Sequence, residues 1–289
     1  MNRITVDIII PTYNRGDLLP ETLKSVQDQT FSNWQCWIAE DGETKETLDA
    51  IKPFLEDDRF KYLPGKHAGF PAVPRNRAIT YGSAKYVAFL DDDDIWLPEK
   101  LERQVAFLEQ RSDCVLLGCN GFRWNGTEEK SHSLPIYFDK APFGQIPYET
   151  FLRANWIILS SALVQRTALE KAGLFSETLS PPFAEDYELW LRVGALGEIW
   201  LTEEPYVFYR EAPMSYYPKL GRKGKYEMKA QVIDSALNGV GGIPSPLSYP
   251  ENSLYAAACR QERDFCFARF RLLGHLKRKI ASTIKKCCS

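Results

Sequence analysis

The first 120 residues alternate short apolar runs with amphipathic stretches, and few folds accept that alternation. Val6–Ile10, apolar except for Asp7, predicts a strand buried on both faces of a parallel sheet. Pro11-Thr12-Tyr13-Asn14-Arg15-Gly16 breaks it, and Leu19, Leu23 and Val26 then recur at helical spacing. Trp34–Ala39 predicts a second strand, Thr44–Leu55 a helix that Pro53 shortens, and Arg59–Leu63 a third strand. After a Gly/Pro-rich loop over 64–74 come a helix at Arg75–Tyr81 and a strand at Tyr86–Leu90. Pro98 opens a helix in which Leu101, Val105 and Leu108 share a face with Leu97, and Cys114–Asn120 is a further strand. Repeated βα units of this length imply an α/β chain with a doubly wound, mostly parallel sheet and right-handed crossovers.

Four aspartates, Asp91 to Asp94, stand between the apolar run 86–90 and Ile95-Trp96-Leu97-Pro98. Adjacent carboxylates repel one another unless a cation compensates them. Hard oxygen ligands suit Mg²⁺ or Mn²⁺, which bind one or two carboxylates together with a substrate's phosphates. A solvated acidic turn is the plainer reading of such a run. Its place at the carboxyl end of a parallel strand, where open α/β sheets bind ligands, favours a metal–phosphate site.

Beyond residue 120 the pattern is mixed. Phe122–Trp124 before Asn125-Gly126 predicts a hairpin, Trp156–Gln165 a strand, Thr167–Ala172 a helix stopped by Gly173, Tyr187–Ala195 a helix and Pro205–Arg210 a strand. A Gly/Pro-rich loop over 239–250 precedes a helical C-terminus. Residues 251–289 carry nine Lys/Arg against three Asp/Glu, a net of +6, so residues 1–250 carry −8. Cys266, Phe270, Leu273, Leu276, Ile280 and Ile284 fall at helical spacing with basic residues on the other faces, the pattern of a helix lying on an anionic membrane. Packing onto the body is the alternative.

No apolar run approaches the length of a membrane span, and the N-terminus lacks signal-peptide anatomy. The seven cysteines have no metal-like spacing and fit a reducing cytosol. The expected location is therefore cytoplasmic, peripheral on the inner face of the membrane. Neither Gly-x-x-x-x-Gly-Lys-Ser/Thr nor Gly-x-Gly-x-x-Gly occurs, which argues against phosphate-loop and dinucleotide enzymes, and nothing points to nucleic acid.

The ordered set of short motifs resembles family 2 glycosyltransferases. It comprises Pro11-Thr12-Tyr13-Asn14-Arg15, Glu40-Asp41-Gly42, Arg75-Asn76-Arg77-Ala78, Leu90 with the four aspartates and Trp96, Ser160-Ser161-Ala162, Ala172-Gly173-Leu174-Phe175 and Glu185-Asp186-Tyr187-Glu188-Leu189-Trp190-Leu191-Arg192. The resemblance covers roughly residues 4–215. It implies a GT-A catalytic domain over 1–215, with a nucleotide-sugar and metal half at 1–120 and an acceptor half at 121–215. A basic helical extension follows at 216–289.

The resemblance also implies roles. Asp91 and Asp93 would hold Mn²⁺ or Mg²⁺ against the donor diphosphate, with Asp92 and Asp94 behind them or capping the next helix; the Asp92/Asp94 register stays open. Asp41 would accept the N3–H of uracil, and Pro11, Thr12 and Tyr13 would line the base pocket, Tyr13 by stacking. Arg75 would pair with the nucleotide or with the aspartates. Asp186, with Glu185 as the second choice, would take the acceptor's proton in an inverting transfer. The donor would be a nucleotide sugar, UDP-linked, and the acceptor a glycan or lipid-linked sugar. The Gln-x-x-Arg-Trp signature of processive synthases is missing, so a single addition is expected. Rival readings are an inactive sugar-nucleotide-binding scaffold and a sugar-phosphate nucleotidyltransferase.

Overall fold

The computed structural model describes residues 4–179, 184–211 and 221–287, with side chains through Arg271 except at position 222. Strand β1 (Val6–Thr12) is flanked by β2 (Trp34–Glu40) and β4 (Tyr86–Phe89), with β3 (Phe60–Leu63) outside β2, all parallel. Helices α1 (Leu19–Gln27), α2 (Lys45–Ile51), α3 (Ala72–Tyr81) and α4 (Lys100–Glu109) supply the crossovers and the flanking layers. The short β5 (Ile95–Trp96) follows the aspartates. The rest of the body comprises β6 (Cys114–Trp124), β7 (Gly144–Ile146), α5 (Tyr148–Phe151), β8 (Leu163–Gln165), α6 (Arg166–Ala172), α7 (Glu185–Val193) and β9 (Glu198–Arg210). Among the described residues these strands form one nine-stranded sheet, ordered β3-β2-β1-β4-β8-β6-β9-β5, with β7 on β9. The expected α/β architecture, a curled and mostly parallel sheet between helices, is what the chain adopts.

Pro11 sits inside β1 without losing a ladder bond. The Ile9 carbonyl accepts Leu90 N–H at 3.1 Å, so alternate residues 7, 9 and 11 turn their backbone toward β4. Pairing with β4 ends at Ile9, and the missing N–H of Pro11 faces the gap beyond it. Asp7 is paid for at the other edge of the sheet. It is buried, accepts from Arg166 Nη2 (2.7 Å) and Ala84 N (2.7 Å), and takes Trp37 Nε1 at 2.8 Å.

Several local expectations need correction. The helix expected over 44–55 stops at Ile51, because Pro53 cannot continue it and starts a single 3-10 turn, Phe54–Glu56. Helix α3 begins three residues earlier than expected, at Ala72. Trp156–Gln165 is not one strand: Leu159–Ser161 makes a 3-10 turn and only Leu163–Gln165 pairs. No tight hairpin forms at Phe122–Trp124. There β6 continues in parallel with β9, and the returning chain meets it at one antiparallel bridge, Phe122–Ile136. The Asn-Gly pair does turn the chain, with Gly126 at φ 87° and Asn125 Oδ1 accepting Thr127 N at 2.9 Å.

Helices α8 (Arg222–Asn238) and α9 (Ser253–Cys287) complete the described chain. Met228, Val232, Ile233, Ala236, Leu247, Ala256 and Cys259 join the same hydrophobic cluster as Trp190, Phe175 and Phe89. Ion pairs Lys229–Glu262 (2.5 Å) and Arg263–Asp234 (2.9 Å) lock α8 to α9, and Ser235 Oγ reaches Glu188 of α7 at 3.2 Å. Cys266, expected on a membrane-facing stripe, is fully buried instead. The side chains at 273–284 of that stripe, and the expected boundary at 215/216, lie outside the described residues. The five cysteines with described side chains are buried and unpaired, and no described helix is long and apolar enough to cross a membrane.

Candidate active site

Parallel pairing brings the ends of β1, β2 and β4 to one sheet edge, which assembles the predicted residues. Asp41 N–H donates to the Thr12 carbonyl at 2.8 Å, placing the 12–13 turn beside Asp41. Asp41 is buried, and its oxygens accept Ala68 N–H (2.7 Å) and Gly69 N–H (2.8 Å) while His67 Nδ1 lies 3.1 Å away. Asp41 thus fastens the Gly/Pro loop over the edge, a role the sequence does not announce. Each oxygen keeps a further lone pair. Tyr13 is half exposed and stacks on His67 with ring centroids 4.3 Å apart.

The aspartates divide into distinct environments. Asp94 is buried, and both its oxygens are engaged: Oδ2 accepts Ser160 Oγ at 2.5 Å and Oδ1 accepts Arg210 N at 2.7 Å. It does not cap the next helix, whose first residue is Lys100; it ties β9 and the 159–161 turn to the loop instead. Ser160 Oγ also accepts Asp91 N at 3.0 Å, so one hydroxyl sets both ends of the run. Asp93 lies 3.8 Å from Arg15 Nη1, and burial together with the Asp91 charge raises its carboxyl above the ordinary range. Burial also lifts Asp92, to about 7, with Thr12 and Arg15 opposing the rise and Asp93 and Asp91 adding to it.

The residues fit a divalent cation. Among the described residues no three His, Cys, Asp or Glu side chains converge into a closed cage. Mg²⁺ and Mn²⁺ use one or two carboxylates plus phosphate oxygens, and Asp91 with Asp93 supply hard oxygens whose crowding a cation would relieve. Asp94 is buried, and each of its oxygens already accepts one hydrogen bond within the protein.

Arg75 is the buried hinge of the site. Nη2 donates to Asp91 Oδ1 and Nη1 to Glu185 Oε1, both at 2.6 Å, and its guanidinium lies 5.4 Å from the Phe175 ring centroid. Burial disfavours its charge, but the two carboxylates more than offset that and raise its pKa. Of the two expected partners, Arg75 has taken the carboxylates, one through each terminal nitrogen, and its Nε has no partner among the described residues.

Glu185 and Asp186 open α7, whose N-terminal N–H groups favour negative charge. Asn155 Nδ2 donates to Asp186 Oδ2 at 2.9 Å. Burial, then the Glu185 charge, push Asp186 to about 7, with the Tyr187 N–H, Arg75 and Asn155 pulling the other way. The helix is rigidly seated: Arg192 is wholly buried against Glu188 (2.5 Å) and donates to the Leu174 carbonyl at 2.7 Å. That carbonyl belongs to the turn after α6, where Gly173 (φ 87°) and Leu174 (φ 63°) are left-handed. Ser160's double role, Arg210 and Asn155 escaped the sequence reading, because their partners are 31 to 116 residues away.

The family model described as Glycosyl transferase family 2 matches residues 7–173, more than half of the chain. The chain belongs to that family and is a glycosyltransferase. It is 31% identical over 195 residues to the Escherichia coli UDP-Glc:alpha-D-GlcNAc-diphosphoundecaprenol beta-1,3-glucosyltransferase WfgD, covering 67% of this chain and 71% of that protein. The chain spans only 26% to 32% of the length of three uncharacterized Rickettsia glycosyltransferases that it matches. Among solved structures, S. aureus TarS 1–349 in complex with UDP-GlcNAc superposes with a TM-score of 0.67 at 18% identity, over 91% of this chain and 73% of that 1–349 chain. The mannosyltransferase PcManGT from Pyrobaculum calidifontis, in complex with GDP-Man and Mn²⁺, gives 0.59 at 16% identity, over 98% and 81%. These structural likenesses establish the shared fold.

Proposed function

We propose that this glycosyltransferase moves a single sugar from a UDP-linked donor to a glycan or lipid-linked acceptor, with inversion and with Mn²⁺ or Mg²⁺. The observation that carries the reading is the ion-paired frame in which Arg75 spans Asp91 and Glu185, the neighbour of Asp186. Asp91 and Asp93 hold the cation, which when bound neutralises the diphosphate leaving group. Tyr13 stacks on the base, Thr12 and Pro11 shape the pocket floor, and Asp41 accepts the uracil N3–H on a lone pair its loop contacts leave free. Asp92 backs the donor site from beside Thr12. Asp186 removes the proton of the attacking hydroxyl, for which a carboxyl raised to about 7 is well matched near neutral pH. The reaction for which WfgD is named, with a UDP-glucose donor and a diphosphoundecaprenol-linked acceptor, supports the UDP and lipid-linked parts of the reading.

A lipid-linked acceptor is met at a membrane, and the end of α9 suits attachment there. Lys223 near the start of α8 already sits over Phe270 at 4.4 Å, so α9 continues past that helix for about 25 Å. This stretch carries the greater part of the +6 charge of residues 251–289. The enzyme would then work as a peripheral protein on the cytoplasmic face.

The test is thermal unfolding with a panel of nucleotides and nucleotide sugars, each with and without Mn²⁺. Metal-dependent stabilisation by UDP compounds above GDP and CDP compounds is expected, since a ligand bound to the native state raises stability by mass action. Equal stabilisation by all, or none with metal, overturns the reading.

A further inference from the structure

Two tyrosines between the aspartate loop and the start of α7 have no part in the roles above. Tyr209 precedes Arg210, whose N–H holds Asp94 Oδ1 and whose Nε donates to the Asp93 carbonyl at 2.9 Å, so β9 presents Tyr209 beside the metal loop. Tyr137 is fixed from the other direction. Its N–H donates to the Gly121 carbonyl at 2.7 Å, and the next residue, Phe138, is clamped by the buried Asn120 through two 3.1 Å bonds. The Tyr137 and Tyr209 rings meet edge to face, centroids 5.0 Å apart. Phe138 lies 4.8 Å from Tyr137 and 5.8 Å from Trp156, and Trp156 follows Asn155, the residue hydrogen-bonded to Asp186. A continuous aromatic wall thus runs from the aspartate loop to the residue that holds the base.

Neither tyrosine hydroxyl has a hydrogen-bond partner among the described residues, although both side chains are half buried. Neither hydroxyl is among the fully buried polar atoms that lack a partner, so each is open to a ligand. Both phenols are raised above their ordinary range, first by burial. For Tyr209 the carboxylates of Asp94, Asp91 and Asp186 add to this; for Tyr137 those of Asp186, Glu211 and Asp94 do, against Arg123. The ring pair thus lies between the aspartate loop, reached through Arg210, and Asp186, reached through Phe138, Trp156 and Asn155. A pyranose has the matching chemistry, with apolar C–H faces for the rings and hydroxyls for the unpartnered phenols.

We propose that Tyr137 and Tyr209 seat the acceptor pyranose, their rings against its C–H face and their hydroxyls bonded to its own, so that the attacking hydroxyl meets Asp186. This rests on the function proposed above. The donor pyranose shares the same chemistry, but the wall ends at Trp156 and Asn155 beside Asp186, which favours the acceptor.

The experiment measures three quantities for the wild type and for Tyr137→Phe, Tyr209→Phe and Tyr137→Leu. These are Mn²⁺-dependent UDP affinity, KM for UDP-glucose in hydrolysis, and KM for a panel of alkyl pyranosides, including an alkyl N-acetylglucosaminyl diphosphate, at saturating UDP-glucose. Unfolding temperature serves as the folding control, and the Phe variants keep the ring that Leu removes from the packing. Losing one hydrogen bond is expected to raise acceptor KM about tenfold, with UDP affinity and hydrolysis KM within about twofold. An unchanged acceptor KM, or a hydrolysis KM that rises equally and so places the donor sugar on the wall, overturns the proposal. So does a wild type that hydrolyses UDP-glucose but transfers to no pyranoside. A wild type that binds no UDP with Mn²⁺ overturns the function reading, and the seat with it.

Discussion

The guanidinium of Arg75 and the carboxylate of Asp91 stand 2.6 Å apart in a buried pair whose second arm reaches Glu185 at the same distance. The end of β4 and the start of α7, separated by more than 90 residues, are held by one planar side chain. Arg75→Ala leaves two carboxylates without their counter-ion and is expected to cost about 3 kcal/mol of stability, read from the denaturant midpoint. Arg75→Lys keeps the charge but lacks a fork, and should recover less than half of that while metal-dependent UDP affinity stays weakened. A lysine variant as stable as the wild type would mean that charge alone suffices.

The pH profile should report Asp186. Its carboxyl must be ionised to accept a proton, so kcat/KM should rise with pH through about 7 and level off above it. Asn155 donates to the ionised form, and Asn155→Ala removes that preference. The rising limb should then move to higher pH by about one unit. Asp186→Asn should lose about 10²–10⁴ in turnover while retaining UDP binding; loss of UDP binding would assign Asp186 to the donor instead.

Asp93 and Asp94 are adjacent but should fail differently. Asp93→Asn should abolish metal-dependent UDP binding and leave the unfolding midpoint nearly unchanged. Asp94→Ala strips the acceptor from Ser160 Oγ and Arg210 N, and about 1–3 kcal/mol of stability should be lost. Calorimetry of UDP binding beside a denaturant titration separates the two outcomes.

Two truncations distinguish packing from membrane attachment. A chain ending at Pro250 loses Ala256, Cys259 and Cys266 from the buried layer on α8, and should unfold at markedly lower temperature. One ending at Arg271 keeps that layer and should remain stable while losing salt-sensitive binding to anionic vesicles. Unchanged vesicle binding by the second chain would remove α9 from the attachment.

Much of the first 120 residues was legible because its signals are local. Apolar runs of strand length, helical spacing at Leu19, Leu23 and Val26, and the aspartates after Leu90 each occupy a few consecutive residues. The stretch beyond residue 120 was less so. The apolar stretch 156–165 reads as strand, yet part of it turns so that Ser160 can pass beneath the aspartates. Pro205–Arg210 reads as a short strand, yet pairing along β6 and β7 extends it back to Glu198. Arg75 offers a choice of partners in sequence, and only the meeting of α3 with α7 selects Glu185. Tyr137 and Tyr209 carry no pattern at all, being 72 residues apart and joined by folding alone.

The segment matched to the family ends at residue 173, while Asp186 stands beyond it on α7, a helix buttressed by α8 through Ser235 and the cluster around Trp190. A chimera spliced at that border would carry the ends of β1, β2 and β4 but leave the proposed proton acceptor behind with the discarded half. Exchange of acceptor preference between such enzymes therefore calls for moving residues 174–271 as one block, because a transplanted α7 without its two supporting helices would arrive with Arg192 and Glu188 stripped of cover.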